Sequence, residues 1–228
     1  MNIKKAIFIF ALLITLFLFS TIILIGDYFS GKREARINQM GSDMYNNLNE
    51  MQTFMLMSEI YGDAMACLAF KSKLQKLDKS VWDLGMKIDQ YRVAGEEFQK
   101  DPFYLQEKKT FNENEVFYLM LLSKIKKHCN YNQAIVSFFY KNSEDCKKCD
   151  DQSFVLTDIK KAAEKEVSIF SFDTDLNLTT ITLMTEYYAI DAYPCIVIGT
   201  QKYCGMQDKR FILDKLCQTS NLTFCGNH

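Results

Sequence analysis

"YYAIDAYPCIVIGTQKYCG", Tyr187 to Gly205, holds one of only two prolines in a 228-residue chain and two of its eight cysteines. Two short runs, CIVI and QKYC, flank Gly199-Thr200, a pattern that predicts a β-hairpin with a two-residue turn. Across such a turn Cys195 and Cys204 stand directly opposite each other, in reach of a disulfide. Pro194 leads into the first run.

Upstream, "LTTITLMTEYYAI" (residues 178–190) has two readings. Its β-branched residues favour a strand, whereas Ile181, Met184 and Tyr188 share one helical face. "VSIFSFD" (167–173) predicts a strand. Before it, "DDQSFVLTDIKKAAEK" puts Val155, Ile159 and Ala162 on one face. Asp150 and Asp151 fall in its first turn and Lys160, Lys161 and Lys165 in its last, as the helix dipole favours. That helix begins at "NSEDCKKCDD", where Cys146 and Cys149 stand three apart, and "AIVSFFY" (134–140) before it predicts a buried strand. A shuffled chain with eight cysteines yields about 0.3 pairs at this spacing, so position along the chain gives the motif its weight. Downstream, "DKRFILDKLC" (208–217) predicts an amphipathic helix through Phe211, Ile212, Leu213 and Leu216.

In order these are strand, C-x-x-C, helix, strand, a run of open type, a Pro-led hairpin and a helix. Over residues 131–217 this order resembles the thioredoxin superfamily, with "YYAIDAYPCIVIG" standing where that family ends a helix and passes a cis-proline into an aliphatic strand. The resemblance implies an α/β, thioredoxin-like fold, a central mixed sheet flanked by helices. It implies a helix over 178–190, Pro194 in cis against the cysteine pair, and a Tyr193 backbone that helps hold a substrate chain. The implied activity is that of membrane-anchored exterior thiol–disulfide oxidoreductases. Their partners would be exported proteins with thiols or disulfides and a membrane redox partner, and no cofactor is implied beyond the cysteines.

A cysteine at a helix N-terminus faces unsatisfied N–H groups and the positive end of the dipole, both of which favour thiolate. Cys146 is therefore the expected nucleophile and Cys149 the resolving thiol. Lys147 and Lys148 favour the thiolate further, while Glu144 and Asp145 oppose it. The sequence departs from the family pattern at three places: Asp145 replaces the aromatic residue usual before the first cysteine, the first strand offers only Ser137 in place of a buried acid, and Cys195 follows the proline. Cys146, Cys149 and Cys195 would lie close on this fold, and three thiolates also suit Cu(I) or Zn(II), so a metal-binding or metal-delivering module is an open alternative. The preferred reading pairs Cys195 with Cys204 and leaves no metal site; Cys217 with Cys225 and Cys67 with Cys129 complete three structural disulfides. A catalytically idle interaction domain is a further alternative.

The chain opens with "MNIKKAIFIFALLITLFLFSTIILIGDYF", in which Ala6 to Ile25 carry no charge and are long enough to cross a bilayer. An uncleaved anchor is expected, a cleaved signal peptide being the alternative. Basic residues flank the run on both sides, so orientation rests on the cysteines, whose number favours an oxidising exterior. A single pass with the N-terminus inside and the C-terminal domain outside follows. A cytoplasmic domain rich in buried free cysteines is the competing placement.

Ile37, Met40, Met44, Leu48, Met51 and Met55 recur at helical spacing and predict an amphipathic helix after the anchor. "SVWD" (80–83) and "NENE" (112–115) predict two further helix starts, with a break at "DPFYLQEKKTF" between them. The expected organisation is thus an anchor over 1–30, an all-α segment over 31–129 and the thioredoxin-like domain over 130–228. A net charge of −1 gives no reason to expect nucleic acid as a partner.

Overall fold

The computed structural model describes residues 3–93, 100–142, 145–163, 165–223 and 225; Glu144 lies outside them. The chain divides into two compact units, Met1–Met40 and Gly41–His228.

Helix α1 spans Ile3–Tyr61. Its apolar side chains from Ile7 to Ile25 are largely exposed, and the helix is long and apolar enough to cross a membrane or to serve as a signal sequence.

In the second unit α1 ends at Gly62, whose φ of +86° is a left-handed conformation open to glycine. Helix α2 (Asp63–Val93) follows. Its buried residues Phe70, Leu74, Leu77, Val81, Leu84, Ile88 and Tyr91 alternate steps of four and three, a single unbroken stripe. That stripe explains why no helix starts at Ser80: "SVWD" lies in the middle of α2. Helix α3 (Pro102–Cys129) starts ten residues before "NENE". Asp101 caps it, its carboxylate accepting from the Phe103 N–H at 2.8 Å, and Pro102 fits the first turn, where no N–H is needed. The expected break at "DPFYLQEKKTF" is therefore only the cap, and the rest of that segment is helical.

The remainder is mixed α/β. Strand β1 (Ala134–Tyr140) leads to α4 (Cys149–Ala163), β2 (Val167–Asp173), α5 (Thr179–Tyr187), the hairpin β3 (Cys195–Ile198) and β4 (Gln201–Cys204), and α6 (Lys209–Thr219). Residues 179–187 take the helical of the two readings left open by the sequence. The sheet order is β2-β1-β3-β4, with β1 parallel to β2 and antiparallel to β3. One face carries Val136, Phe138, Ile169 and Ile196 into a core closed by Leu156 and Ile159 of α4 and Ile212 and Leu216 of α6. On the other face Phe170 meets Tyr118 of α3 edge-on at 5.3 Å between ring centres, and Phe139 meets Tyr188 beyond α5 at 6.4 Å. With helices packed against both faces, β1 and β2 are buried over most of their length.

Strand β2 lies at one edge of the sheet, so its outward N–H groups need partners from elsewhere. Helix α3 supplies them. Glu115 Oε1 accepts from the Ser171 N–H at 3.1 Å, and Asn112 Oδ1 accepts from the Asp173 N–H at 2.9 Å. Both side chains are buried, at 2% exposure each. The two acceptors of "NENE" thus complete a sheet edge, which is why the helices after residue 41 and the sheet form one unit.

Glu115 Oε2 has no hydrogen-bond partner among the described residues, and burial pushes the Glu115 carboxyl well above the usual carboxylate range. The folded chain thus keeps this proton where the unfolded chain, with a pKa of about 4.3, has lost it. The stability tied to the proton is complete below about pH 4.3 and is lost as pH rises through the raised folded value. Glu115→Gln keeps the acceptor and has nothing to ionise. Denaturant unfolding should find it more stable than the native chain at pH 8, with the gap closing toward pH 4.5; a pH-independent gap would contradict a protonated Glu115.

Candidate active site

Cys146 and Cys149 are joined by a disulfide. Cys149 is the first residue of α4, while Cys146 lies in the turn ahead of it, and its carbonyl accepts the Cys149 N–H at 3.2 Å. Both are buried, at 5% and 3% exposure, so the oxidised pair barely distinguishes an outer from an inner sulfur. Lys147 and Lys148 between them are exposed.

The turn is fixed by groups outside the motif. Asn142, two residues past β1, gives its carbonyl to the N–H groups of Asp145 and Cys146 at 3.0 and 2.9 Å. Its own N–H is held by Asp175 Oδ2 at 2.8 Å, and the other oxygen of that carboxylate stands 3.8 Å from the Lys141 ammonium. Thr174 Oγ1 donates to the Tyr140 carbonyl at 3.0 Å. The end of β1 is therefore tied to the segment following β2 just before the chain enters the cysteine turn.

Helix α4 is held from its other side by Gln152, which is wholly buried. Its amide pairs in both directions with the backbone of Gln207, accepting from the N–H at 2.7 Å and donating to the carbonyl at 3.2 Å. Arg92 of α2 reaches Asp150 in the first turn of α4 at 3.3 Å. Asp175, Gln152 and Arg92 carry no motif in the sequence.

The Tyr193-Pro194 peptide is cis. Strand pairing sets Phe139 opposite Cys195, so Pro194 lies one step further, at the end of the sheet where β1 runs out toward the cysteine turn. Pro194 is buried and its carbonyl accepts from Gly205 N–H at 2.7 Å. Tyr193 is half-buried with the Lys141 ammonium 5.5 Å above its ring centre, and among the described residues no hydrogen bond engages its backbone.

Cys195 is fully buried, paired in register with Cys204 and joined to it by a disulfide. In this oxidised form Cys195 is therefore not free to complete a three-thiolate set with Cys146 and Cys149. Cys67–Cys129 links the first turns of α2 to the end of α3, and Cys217–Cys225 links α6 to the C-terminal tail.

The first strand has no buried acid of its own, but its neighbours supply two. Asp173, at the end of β2, is buried in an ion pair with Lys108 of α3, and Glu115 lies beside it on the same helix. The Lys108 ammonium stands 5.5 Å from the ring centre of Tyr140, the last residue of β1, and 5.6 Å from that of Tyr104. Burial by itself would lower the Lys108 pKa, but its surroundings, Tyr140 and the Asp173 carboxylate foremost, raise it. Burial raises the Tyr140 phenol.

No protein-family model and no curated protein matches the chain. Solved structures similar to it include a malarial protein, 16% identical with a TM-score of 0.33, covering 39% of this chain and 98% of its own. Another is thioredoxin-2, a component of the malaria parasite protein secretion machinery, also 16% identical with a TM-score of 0.33, covering 38% of this chain and 84% of its own.

Gln152→Ala removes both partners of the Gln207 backbone where α4 is anchored. The expected loss is about 1–3 kcal/mol of unfolding free energy, with faster amide exchange at Gln207 than in the native chain. Unchanged exchange at Gln207 would show that the pairing does not hold the loop.

Proposed function

We propose that this chain is a membrane-anchored thiol–disulfide oxidoreductase with a thioredoxin-like domain, acting on thiols or disulfides of exported proteins through Cys146 and Cys149. The observation that carries the reading is the Cys146–Cys149 disulfide at a strand-to-helix turn, at the sheet end where the Tyr193 backbone makes no hydrogen bond among the described residues. In this reading an extended substrate segment pairs with the Tyr193 backbone N–H and carbonyl while its sulfurs exchange with Cys146.

With the pair oxidised, a substrate thiolate attacks the Cys146 sulfur, and the Cys146–Cys149 bond breaks as Cys149 leaves and takes up a proton. A second substrate thiolate attacks the substrate sulfur of the mixed disulfide and expels Cys146. The substrate then holds a new disulfide and the protein has gained two electrons and two protons. In reverse, the Cys146 thiolate attacks a substrate disulfide and Cys149 resolves the mixed disulfide, leaving the pair oxidised. Repeated turnover in the first direction requires a membrane partner that takes the electrons from the dithiol, and in the second one that supplies them.

In this reading residues 1–30 anchor the chain with the N-terminus inside, and the cysteine-bearing domain works on the exterior face. The remaining disulfides are structural. Cys195–Cys204 is the best supported of them, lying between paired strands with Cys195 withdrawn from solvent.

Oxidation of a dithiol peptide and reduction of insulin measure the two directions. At least one should proceed with the native chain, fall by about a hundredfold or more in Cys146→Ser, and survive in Cys204→Ser. A native chain idle in both assays would sink the proposal.

A further inference from the structure

The face of the sheet that carries Phe139 and Val197 is incompletely covered. Helix α5 has only nine residues, of which Ile181 alone is buried, and beside it the sheet is open to a groove of about 1030 Å³. Ile135 and Val197 lie on its floor, and α3 and α5 form its walls. Its rim carries Met120, Leu183 and Tyr187 at 51%, 59% and 78% exposure, three large apolar side chains left in water. The volume is at the upper end of what small-ligand sites enclose, about 300–1,000 Å³. The groove is distinct from the cysteine turn: Val197 is three residues along β3 from Pro194, about 10 Å.

Charge is unevenly placed around it. Lys126 and Lys127, in the last turn of α3, lie on one wall, and the sole acid of the lining, Glu186, is on α5. Lys126 is half-buried and donates to the Gln133 carbonyl, while Lys127 is exposed and has no ion-pair partner among the described residues. The floor belongs to β1 and β3, the two inner strands, which pair with each other over Val136 to Phe139 and with β2 and β4 on their other sides. An extended peptide laid there finds no ladder to join, and its own amides would be desolvated without partners. A hydrocarbon chain has no such groups.

We propose that this groove binds a long-chain fatty carboxylate, its acyl chain along the apolar floor between α3 and α5 and its head group at Lys126 and Lys127. Met120 and Met184 lend the walls the adaptability that a flexible chain requires. The site is independent of the redox reading and stands or falls without it.

The test uses the full chain in phosphatidylcholine nanodiscs, photolabelled with a diazirine-bearing fatty acid and mapped by mass spectrometry. Label is expected on peptides containing Met120 and Leu183–Tyr188, displaced by unlabelled fatty acid and about tenfold less well by the alcohol of equal chain length. Leu183→Asp should weaken labelling about tenfold and Lys127→Glu about fivefold. Both positions are exposed, so folding should persist, as circular dichroism would verify. Label confined to the apolar residues of α1, equal competition by acid and alcohol, or cross-links placing a second copy of the chain over Leu183 and Tyr187 would each overturn the proposal.

Discussion

The rest of the structure depends on how one sheet edge is satisfied. A four-stranded sheet with β2 outermost leaves a row of backbone groups facing away from β1, and burying them without partners costs about 1–3 kcal/mol each. Asn112 and Glu115 of α3 meet the N–H groups of Asp173 and Ser171, and Lys108, one turn earlier on that helix, meets the Asp173 carboxylate. Helix α3 does for the edge what a further strand would do. It cannot be removed from the cysteine-bearing domain without exposing that edge, and the Cys67–Cys129 disulfide ties α2 to the same helix.

This constraint marks the limit of what the sequence discloses. Short-range patterns were legible: alternating burial is nearly absent in β1 and β2 because helices pack on both sides of them, and the apolar runs themselves announced the strands. The Gly199-Thr200 turn set the hairpin register, since a two-residue turn leaves one pairing. Residues 178–190 stayed open because β-branched residues and a helical stripe coexist there, and the helical face prevailed once Ile181 had a core to enter. A polar residue three before an acid reads as a capping box at Ser80 and Asn112, yet both lie within helices: Ser80 sits in the continuous apolar stripe of α2, and Asn112 and Glu115 serve as acceptors for the edge of β2.

The site shows the same division. The cysteine pair and its place between a strand and a helix follow from local pattern, whereas the groups that hold it are distant in sequence: Asp175 lies 33 residues from Asn142 and Gln152 lies 55 from Gln207. Neither type of contact leaves periodicity or spacing behind. A buried acid near the end of β1 was absent from that strand, yet Asp173 and Glu115 bring two carboxyls to its flank from β2 and α3. Burial at an edge, rather than position along one strand, decides where such acids stand.

The two carboxyls differ in their partners, and the partners separate their roles. Asp173 is paired with the Lys108 ammonium and accepts the Asp175 N–H at 2.9 Å, so both of its oxygens have partners. Glu115 has a single backbone donor and an unpartnered oxygen, so neutrality is the less costly state for it. The Asp173 carboxylate is held by Lys108 and the Asp175 N–H while Asn112 holds its backbone, and Asp175 in turn reaches the Asn142 N–H and hence the cysteine turn. The neutral member serves only the edge. Disturbing the Asp173 pair therefore reaches the turn through a short chain of hydrogen bonds, whereas disturbing Glu115 is felt chiefly as a change in stability with pH.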